Sequence, residues 1–576
     1  MEAKKVNLTS IRVGAQSFAE IINDGLIYVD KTKLVWELAR TDGISYFLSR
    51  PRKFGKTLLL DTFEELFKGP ANPREKPKGL FDGLWIGGEE AAYDFNDTFP
   101  VIRLSMTMAS FSTDALLKEI KRILANIAVS HGLEIEDAAP GGMLSLLITA
   151  INEKYNKKVI LLIDEYDDPI SSNIGDKDLA MDNFMILRDF YSPLKSLEKI
   201  LRFVFITGVT RNSLLSQSSV LNHLNDITMD KKYADICGFT HEEFKSRFAP
   251  YFPAALKAFK ENGALGKKDG IADLVKKELA WYDGYSWDGK TRVLNPHSLL
   301  NSFIHSEFDY YWASNEPSES TLTSIMLKNP LVFTADKLRN LSDVKLKLFD
   351  IVGSSDPIPS LFHTGYLTLA AITRIDTIKY YSFKAPNEEL KHLFVREFST
   401  SLFKFLNIDT PMEIDAFSNA IKGEDSKQLT TLIDSFFGTI PSALHIPKEA
   451  YYHSALYGYL TELANFHALP ESPWPEETPD MILNFADGLR VIVELKYKNA
   501  DTKRKMSVEK ANKEMEKLAV LALKTIDRKE YSRPYIANSR KLLRLGVGVY
   551  GKGRARAILE NETQTLARRE ASRKKI

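Results

Sequence analysis

The chain has 576 residues, more than one hydrophobic core usually serves, so two to four domains are expected. Hydrophobic residues make up 44% and charged residues 27%, the composition of an ordinary globular protein rather than a disordered or fibrous one. The single cysteine, Cys237, excludes an internal disulfide, and no Cys/His cluster suggests structural zinc. No uninterrupted apolar run of about 18 residues points to a membrane span. The opening ten residues lack a charged stretch followed by an apolar one, so no signal peptide is expected and a cytoplasmic location is the default. Net charge is only +1 but unevenly spread: from Gly488 onward there are 24 Lys and Arg against 10 Asp and Glu, which leaves the rest of the chain with a net charge of about −13. A basic end on an acidic body suggests nucleic acid as its partner; a solvated basic surface without a partner has equal weight on charge alone.

In chain order, short apolar runs at 44–48, 101–104, 159–163 and 203–207 alternate with amphipathic stretches such as 114–130. That alternation predicts a parallel sheet covered by helices on both faces, in a first domain spanning 1–230. A second region, 231–395, reads as a mainly helical connector with an aromatic cluster (Trp281, Tyr282, Tyr285, Trp287) and a short β-like patch near 368–383. The third domain, 396–576, has a soft boundary, since no Pro-rich or Gly/Ser-rich linker marks its start. No internal repeat is visible, and the basic residues 567–576 are expected to fray.

Within the first domain, an apolar strand runs into Arg50, Pro51, Arg52, Lys53, Phe54 and Gly55, after which Lys56 and Thr57 open a helical stretch. These are the parts of a phosphate loop in their usual order. Backbone N–H groups would wrap the phosphates of ATP, Lys56 would reach the β- and γ-phosphates, and Thr57 would offer its hydroxyl to Mg²⁺. Arg50 stands where the motif has glycine, so Pro51 must fix part of the loop's path. Gly-Lys-Thr alone is a weak signal, because an ordinary strand-to-helix turn reads the same. About 100 residues on, five apolar residues lead into Asp164 and Glu165, a Walker B arrangement at the strand end where ligands gather in open α/β sheets. Asp164 would hold Mg²⁺, directly or through water, and Glu165 would polarise the attacking water; a core strand that merely ends in acids is the alternative. The two motifs, in this order and on the right elements, support one another. After the run 202–206, Thr207 is the candidate contact to the γ-phosphate or the water. Arg211 is a candidate sensor or finger, weighed evenly against a surface arginine.

Residues 478–497 hold the second constellation. Residues 481–485 alternate like a strand, Asp487-Gly488 is a strong hairpin turn, and 489–495 return. Asp480 and Glu494 then become neighbours at one end of the hairpin, and period-2 alternation places Glu494 and Lys496 on one face. Metal-assisted phosphodiester cleavage needs these groups: two carboxylates for one or two Mg²⁺ ions (or Mn²⁺), and a lysine to position water or offset charge. Glu-x-Lys alone means little; the alternative for the whole pattern is a solvent-facing ion pair on a hairpin. Upstream, 448–466 reads as an amphipathic helix, on which His453 is a candidate phosphate contact or, more commonly for such a residue, a packed histidine. Downstream, 510–525 reads as a helix and 543–550 as a strand, giving an αβββαβ-like core with one strand unassigned.

With both motif sets in place, the chain resembles, over essentially its full length, bacterial proteins that pair an AAA-ATPase-like domain with a C-terminal PD-(D/E)XK nuclease-superfamily domain. The blocks that carry the resemblance are 17–30 with Lys33, 49–56 with its Arg-Pro-Arg loop, 207–211, 224–228, 237–240, 281–285, 295–298 and 365–367. On this resemblance Arg50 is a family trait. The implied fold is α/β: an N-terminal P-loop parallel-sheet domain of the ASCE/AAA-like kind, a helical middle, and a C-terminal α/β restriction-endonuclease-like domain. The implied sites are Lys56, Thr57, Asp164 and Glu165 for ATP, and Asp480, Glu494 and Lys496 for cleavage. Such nuclease folds often draw a further metal-binding acid from the helix before the hairpin, here Glu449, with Glu462 as the alternative. Two departures stand out: Glu477-Thr-Pro-Asp480 in place of a Gly-Arg-containing run, and Thr525 where relatives often carry glutamine.

The leading expectation is ATP-regulated cleavage of nucleic acid. A second is an ATP-dependent switch or scaffold whose nuclease fold binds nucleic acid or protein without cutting, and a third is a remodelling motor that needs an arginine in trans. A homo-oligomer is left open.

Overall fold

The computed structural model describes residues 8–71, 74, 76, 78–107, 112–173, 176–210, 223–312, 338–342, 357–375, 378–391, 393, 410–439, 449, 452–453, 455–456, 459–460, 479–485, 488–500, 507–532, 535, 539–551, 554–561 and 564–565. The chain divides into two compact units, residues 1–316 with 336–391, and 317–335 with 392–576.

In the first unit, β1 (Ile44–Ser49), β2 (Val101–Ser105), β3 (Val159–Asp164), β4 (Leu201–Gly208) and β5 (Asn225–Asp226) form a parallel sheet in the order β2-β3-β4-β1-β5. The four apolar runs of the sequence are β1 to β4. All six residues of β3 are buried, as an unbroken apolar run in a doubly covered parallel sheet requires. β4 lies between β1 and β3, with Ile206 beside both Phe47 and Ile163, so three strand ends open side by side. The helix Thr113–Ser130 starts at Ser112, whose side chain accepts from the Ala115 amide, and buries Leu116, Ile120, Leu124 and Ala128 at four-residue spacing. It shares a core with the helices Pro140–Tyr155 and Lys177–Tyr191. The helix Lys56–Lys68 packs Phe63 against Phe203 and Phe205 of β4, each at a centroid distance of 5.0 Å.

Beyond β5, the helices His241–Arg247, Phe252–Glu261, Ile271–Tyr282 and Pro296–His305 bury Phe244, Phe248, Phe259, Leu274 and Phe303 together with Ile11 and Val29 from the start of the chain. A short antiparallel pair, β6 (Phe239–Thr240) with β7 (Val293–Leu294), lies among them. The β-like patch is a hairpin of β9 (Thr368–Ile375) and β10 (Ile378–Lys384), extended by β8 (Leu338–Ser342) into a three-stranded antiparallel sheet. The middle is therefore helical with a sheet of its own. β8 gave no signal because Leu-Arg-Asn-Leu-Ser has too few apolar residues to show a period.

The second unit holds β11 (Met481–Asn484), β12 (Leu489–Lys498), β13 (Lys541–Tyr550) and β14 (Arg554–Glu560) in that order across the sheet, paired antiparallel, parallel and antiparallel. The helix Val508–Arg528 supplies the crossover between the parallel strands. It comes so close that a Cβ on Gly546 would lie 2.3 Å from the Ala519 carbonyl oxygen, and one on Gly548 2.1 Å from that of Met515. Only glycine permits this approach. The helix Ser426–Thr439 covers edge strand β14 through side chains four residues apart: Ser426 accepts from the Leu559 amide (2.9 Å), Thr430 from Ala557 (3.0 Å) and Asp434 from Ala555 (2.7 Å). Among the described residues the order is the helices Thr410–Lys422 and Ser426–Thr439, helical residues 449, 452–453, 455–456 and 459–460, then β11, β12, the long helix, β13 and β14. Among the described residues, a strand that the sequence left unassigned, β14, follows β13. Residues 567–576 lie outside the described residues.

Candidate functional site

At the sheet end of the first unit, Asp164 is the central group. Its carboxylate accepts from the hydroxyls of Thr57 (2.7 Å) and Thr207 (2.6 Å), so the helix start, β3 and β4 meet on one side chain. Lys56 is almost fully buried; its ammonium donates to the carbonyls of Arg50 (3.0 Å) and Pro51 (3.1 Å) and lies 3.3 Å from Glu165. Glu165 sits at φ +52°, a left-handed turn uncommon for a non-glycine residue, and its Oε2 is buried with no hydrogen-bond partner. Asp167, fully buried, accepts from the Val209 and Thr210 amides and from the Thr210 hydroxyl; burial pushes its pKa up to about 6. Arg52 pairs with Asp168 at 2.7 Å.

The loop itself is braced from the middle of the chain. Arg50 has no exposed surface. Its guanidinium donates to the carbonyls of Thr228 (2.8 Å) and Tyr233 (3.1 Å) and stacks 4.1 Å from the Trp287 ring centre, so the side chain braces the loop. Burial lowers its pKa to about 10, still a cation at neutral pH. Pro51 packs on Gly365 (φ +93°), where an added Cβ would come within 2.7 Å of the proline ring. Lys53 takes φ +65° and donates to the Trp312 carbonyl (2.9 Å), while the Trp312 indole donates to the Arg52 carbonyl (3.3 Å). Phe54 meets Tyr285 and Trp287 edge-on at 4.8 and 5.5 Å. Several of the blocks singled out far from the loop, around residues 228, 285 and 365, are thus its supports. Sequence reasoning missed this bracing and the Arg52–Asp168 pair, and no local signal announces either. Arg211 and Glu462 lie outside the described residues.

In the second unit the hairpin has the expected register, with Met481 opposite Val493 and Asn484 opposite Arg490. Asp480 therefore faces the Glu494 rung. Its backbone N–H points to Glu494 Oε2 (3.4 Å), and its own carboxylate accepts from the Leu495 amide (2.7 Å). Glu494 is 4% exposed; burial and the charge of Asp480 raise its pKa to about 7 against the opposing pull of Lys496. Lys496 sits between Glu494 (3.0 Å) and Glu449 (3.2 Å), and the second Glu449 oxygen accepts from the Tyr497 amide (3.0 Å). His453 contacts the Asp480 carbonyl at 3.1 Å. The structure thus brings Asp480, Glu494, Lys496, Glu449 and His453 together; Asp487 at the turn lies outside the described residues. Thr525 is not part of this group. The long helix lies against Gly548 and Gly546, the partners of Lys496 and Glu494, through Met515 and Ala519, and its Glu514 reaches Lys498 (2.8 Å). Thr525 lies about 9 Å further along the axis, toward the other end of the sheet.

Comparison with known proteins agrees with both halves. Residues 12–217 match a family described as "Predicted AAA-ATPase", and residues 447–558 match the "PD-(D/E)XK nuclease superfamily". A protein of Azotobacter chroococcum mcd 1, described as "Uncharacterized protein in vnfD 5'region", is 31% identical over 463 residues, which are 78% of this chain and 82% of that one. The chain belongs to the AAA-ATPase-like family with a C-terminal PD-(D/E)XK domain. Among solved structures, "Structure of the Aeropyrum Pernix ORC2 protein (ADPNP-ADP complexes)" matches at 11% identity and a TM-score of 0.22, covering 67% of this chain and 95% of that one, too distant to bear on the site.

A nucleotide and a divalent metal are what these two domains use in general. In the ATPase-like domain, the Thr57 hydroxyl, the Asp164 carboxylate and the unpartnered Glu165 oxygen are the hard oxygen donors that fit such a cation and its water. In the PD-(D/E)XK domain, burial and the charge of neighbouring Asp480 hold the Glu494 carboxyl above its usual range, and a divalent cation bound there would relieve that conflict. No three His, Cys, Asp or Glu groups gather into a metal cage among the described residues, so water and substrate phosphate would complete the shell. No helix among the described residues is long and apolar enough to cross a membrane.

Proposed function

We propose that this protein is an ATP-regulated, metal-dependent nuclease. The observation that carries the reading is the convergence of Asp480, Glu494, Lys496 and Glu449 around one end of the β11–β12 hairpin. Asp480 and Glu494 would hold the cation, Mg²⁺ or Mn²⁺, which would supply an activated water and stabilise charge on the phosphate. Lys496, oriented by two carboxylates, places the water or offsets that charge. The excess of Lys and Arg from Gly488 onward attracts the nucleic-acid backbone without regard to sequence. In the first unit, Lys56 and the loop amides hold the ATP phosphates, Thr57 and Asp164 hold Mg²⁺, Glu165 orients the attacking water, and Thr207 fixes Asp164. A cytoplasmic setting suits both substrates.

The test is cleavage of labelled DNA and RNA by the full chain with Mg²⁺ or Mn²⁺, with and without ATP. Glu494→Ala is expected to lower cleavage at least about 100-fold while leaving ATP binding intact. Lys56→Ala is expected to remove the response to ATP. No cleavage with any metal, from protein that still binds ATP, sinks the nuclease reading and leaves a domain that binds without cutting.

A further inference from the structure

The loop 50–55 carries a cation that the roles above leave unused. Two ion pairs run from the loop and the helix start to the turn after β3: Lys56 to Glu165 at 3.3 Å, and Arg52 to Asp168 at 2.7 Å. The other loop side chains are committed elsewhere: Arg50 to Thr228 and Tyr233, Pro51 against Gly365, Lys53 to the Trp312 carbonyl, and Phe54 between Tyr285 and Trp287. The Arg52 side chain is one-third exposed, and its partner Asp168 lies just after Glu165 in the same turn. Asp168 opens the short helix three residues after Glu165 and feels the charge of Glu165.

We propose that Arg52 acts in cis as the charge-neutralising arginine of ATP hydrolysis, exchanging the Asp168 carboxylate for the γ-phosphate as charge develops there. This rests on the ATPase reading above. In the step, the water oxygen bonds to the γ-phosphorus. The bond from that phosphorus to the β–γ bridging oxygen breaks, and its electron pair leaves with ADP. The water's proton passes to Glu165 and then to the released phosphate; Arg52 keeps its own protons throughout. The exchange suits an arginine, whose planar fork matches two phosphate oxygens as it matches a carboxylate. Asp168 is not stranded when Arg52 leaves, because the Ser172 hydroxyl donates to it at 3.1 Å. A chain built this way needs no arginine from a second copy, so turnover per chain does not rise with protein concentration.

The experiment uses the full chain and three variants, Arg52→Ala, Arg52→Lys and Asp168→Asn. Hydrolysis is measured alongside binding of fluorescent ADP, alone and with aluminium fluoride. Arg52→Ala is expected to lower kcat about 10²- to 10³-fold and abolish the preference for ADP with aluminium fluoride. Its affinity for ADP alone should stay within about 3-fold of wild type, since the arginine serves the transition state. Arg52→Lys recovers little, and Asp168→Asn keeps most turnover. The proposal is overturned if Arg52→Ala hydrolyses like wild type. It is also overturned if that variant weakens ADP and the aluminium fluoride complex equally, or if Asp168→Asn and Arg52→Ala lose the same activity, the mark of a structural latch. Wild-type protein that binds no nucleotide overturns the ATPase reading as well. If it binds without measurable hydrolysis, the aluminium fluoride complex decides.

Discussion

In the first unit, the groups that meet at the sheet end come from Lys56, Thr57, Asp164, Glu165 and Thr207, and the loop beside them is braced by Thr228, Tyr233, Tyr285, Trp287, Trp312 and Gly365. In the second, Asp480, Glu494 and Lys496 lie within one hairpin, and Glu449 comes from the helix before it. The contrast follows from strand direction. Neighbouring ends of a parallel sheet are joined by long crossovers, whereas the two arms of a hairpin are neighbours by construction. The first site therefore borrows its shape from distant packing, and the second from rung spacing and local charge. They should fail differently: the first by losing its bracing, the second by losing backbone spacing or charge balance.

The largest expected effect on stability is at Arg50. Arg50→Ala opens a cavity beside Trp287 and leaves the buried carbonyls of Thr228 and Tyr233 without their donor, which costs about 3 kcal/mol in stability. Arg50→Lys should recover little of this, because a single ammonium cannot span both carbonyls and stack on the indole. Urea unfolding followed by tryptophan fluorescence measures it; a variant with the wild-type midpoint would remove the bracing from the comparison.

Next is Gly548→Ala. The new Cβ would meet the Met515 carbonyl at 2.1 Å, so the helix Val508–Arg528 must lift from the sheet, at about 1–3 kcal/mol. Lys496 shares that rung, so cleavage should fall together with stability. Gly438→Ala, with nothing within 4 Å of its Cβ, should be neutral or slightly stabilising. Equal behaviour of the two variants would show that the close approach does not set the site's spacing.

Smaller still is a pH effect confined to the second unit. Because Glu494 titrates near 7 in the folded chain, above the ordinary carboxyl value, the native state binds the extra proton between about pH 4.5 and 7. The stability this contributes is fully present below that window and is lost as pH rises through 7, with about 2 kcal/mol of the loss falling between pH 5.5 and 8. Thermal unfolding at pH 5.5 and 8 should show this loss in wild type, a flatter profile in Glu494→Gln, and partial recovery with Mg²⁺ at pH 8. A wild-type profile as flat as that of the glutamine variant would mean that the two carboxyls do not compete.

The same contrast explains what the sequence disclosed. The hairpin was legible because its alternation and its turn are local, and β1 to β4 were legible as apolar runs between helices. Arg50 could be seen only as a missing glycine, since its partners lie 178 and 183 residues away. The Arg52–Asp168 pair spans 116 residues and has no pattern of its own. β14 alternates arginine with alanine before its apolar end, a weak period, and its edge is satisfied by side chains of a helix more than 100 residues earlier.

The smallest expected effect concerns Thr525, the departure that the sequence sets beside the second site. Thr525 draws notice from sequence because the family resemblance implies a glutamine near it, as though the residue served the carboxylates. On the helix Val508–Arg528, however, the positions level with Glu494 and Lys496 are Ala519 and Met515, and Glu514 is the side chain that reaches β12 at Lys498. Thr525 is partly exposed, and its hydroxyl only donates to the Leu521 carbonyl one turn back (3.0 Å). Thr525→Gln should therefore leave cleavage and metal affinity within about 2-fold of wild type, the range of a substitution that touches neither core nor site. A large gain in cleavage would mean that the helix slides by more than a turn when nucleic acid binds, and that the rung spacing set by Gly546 and Gly548 is not the working geometry of this site.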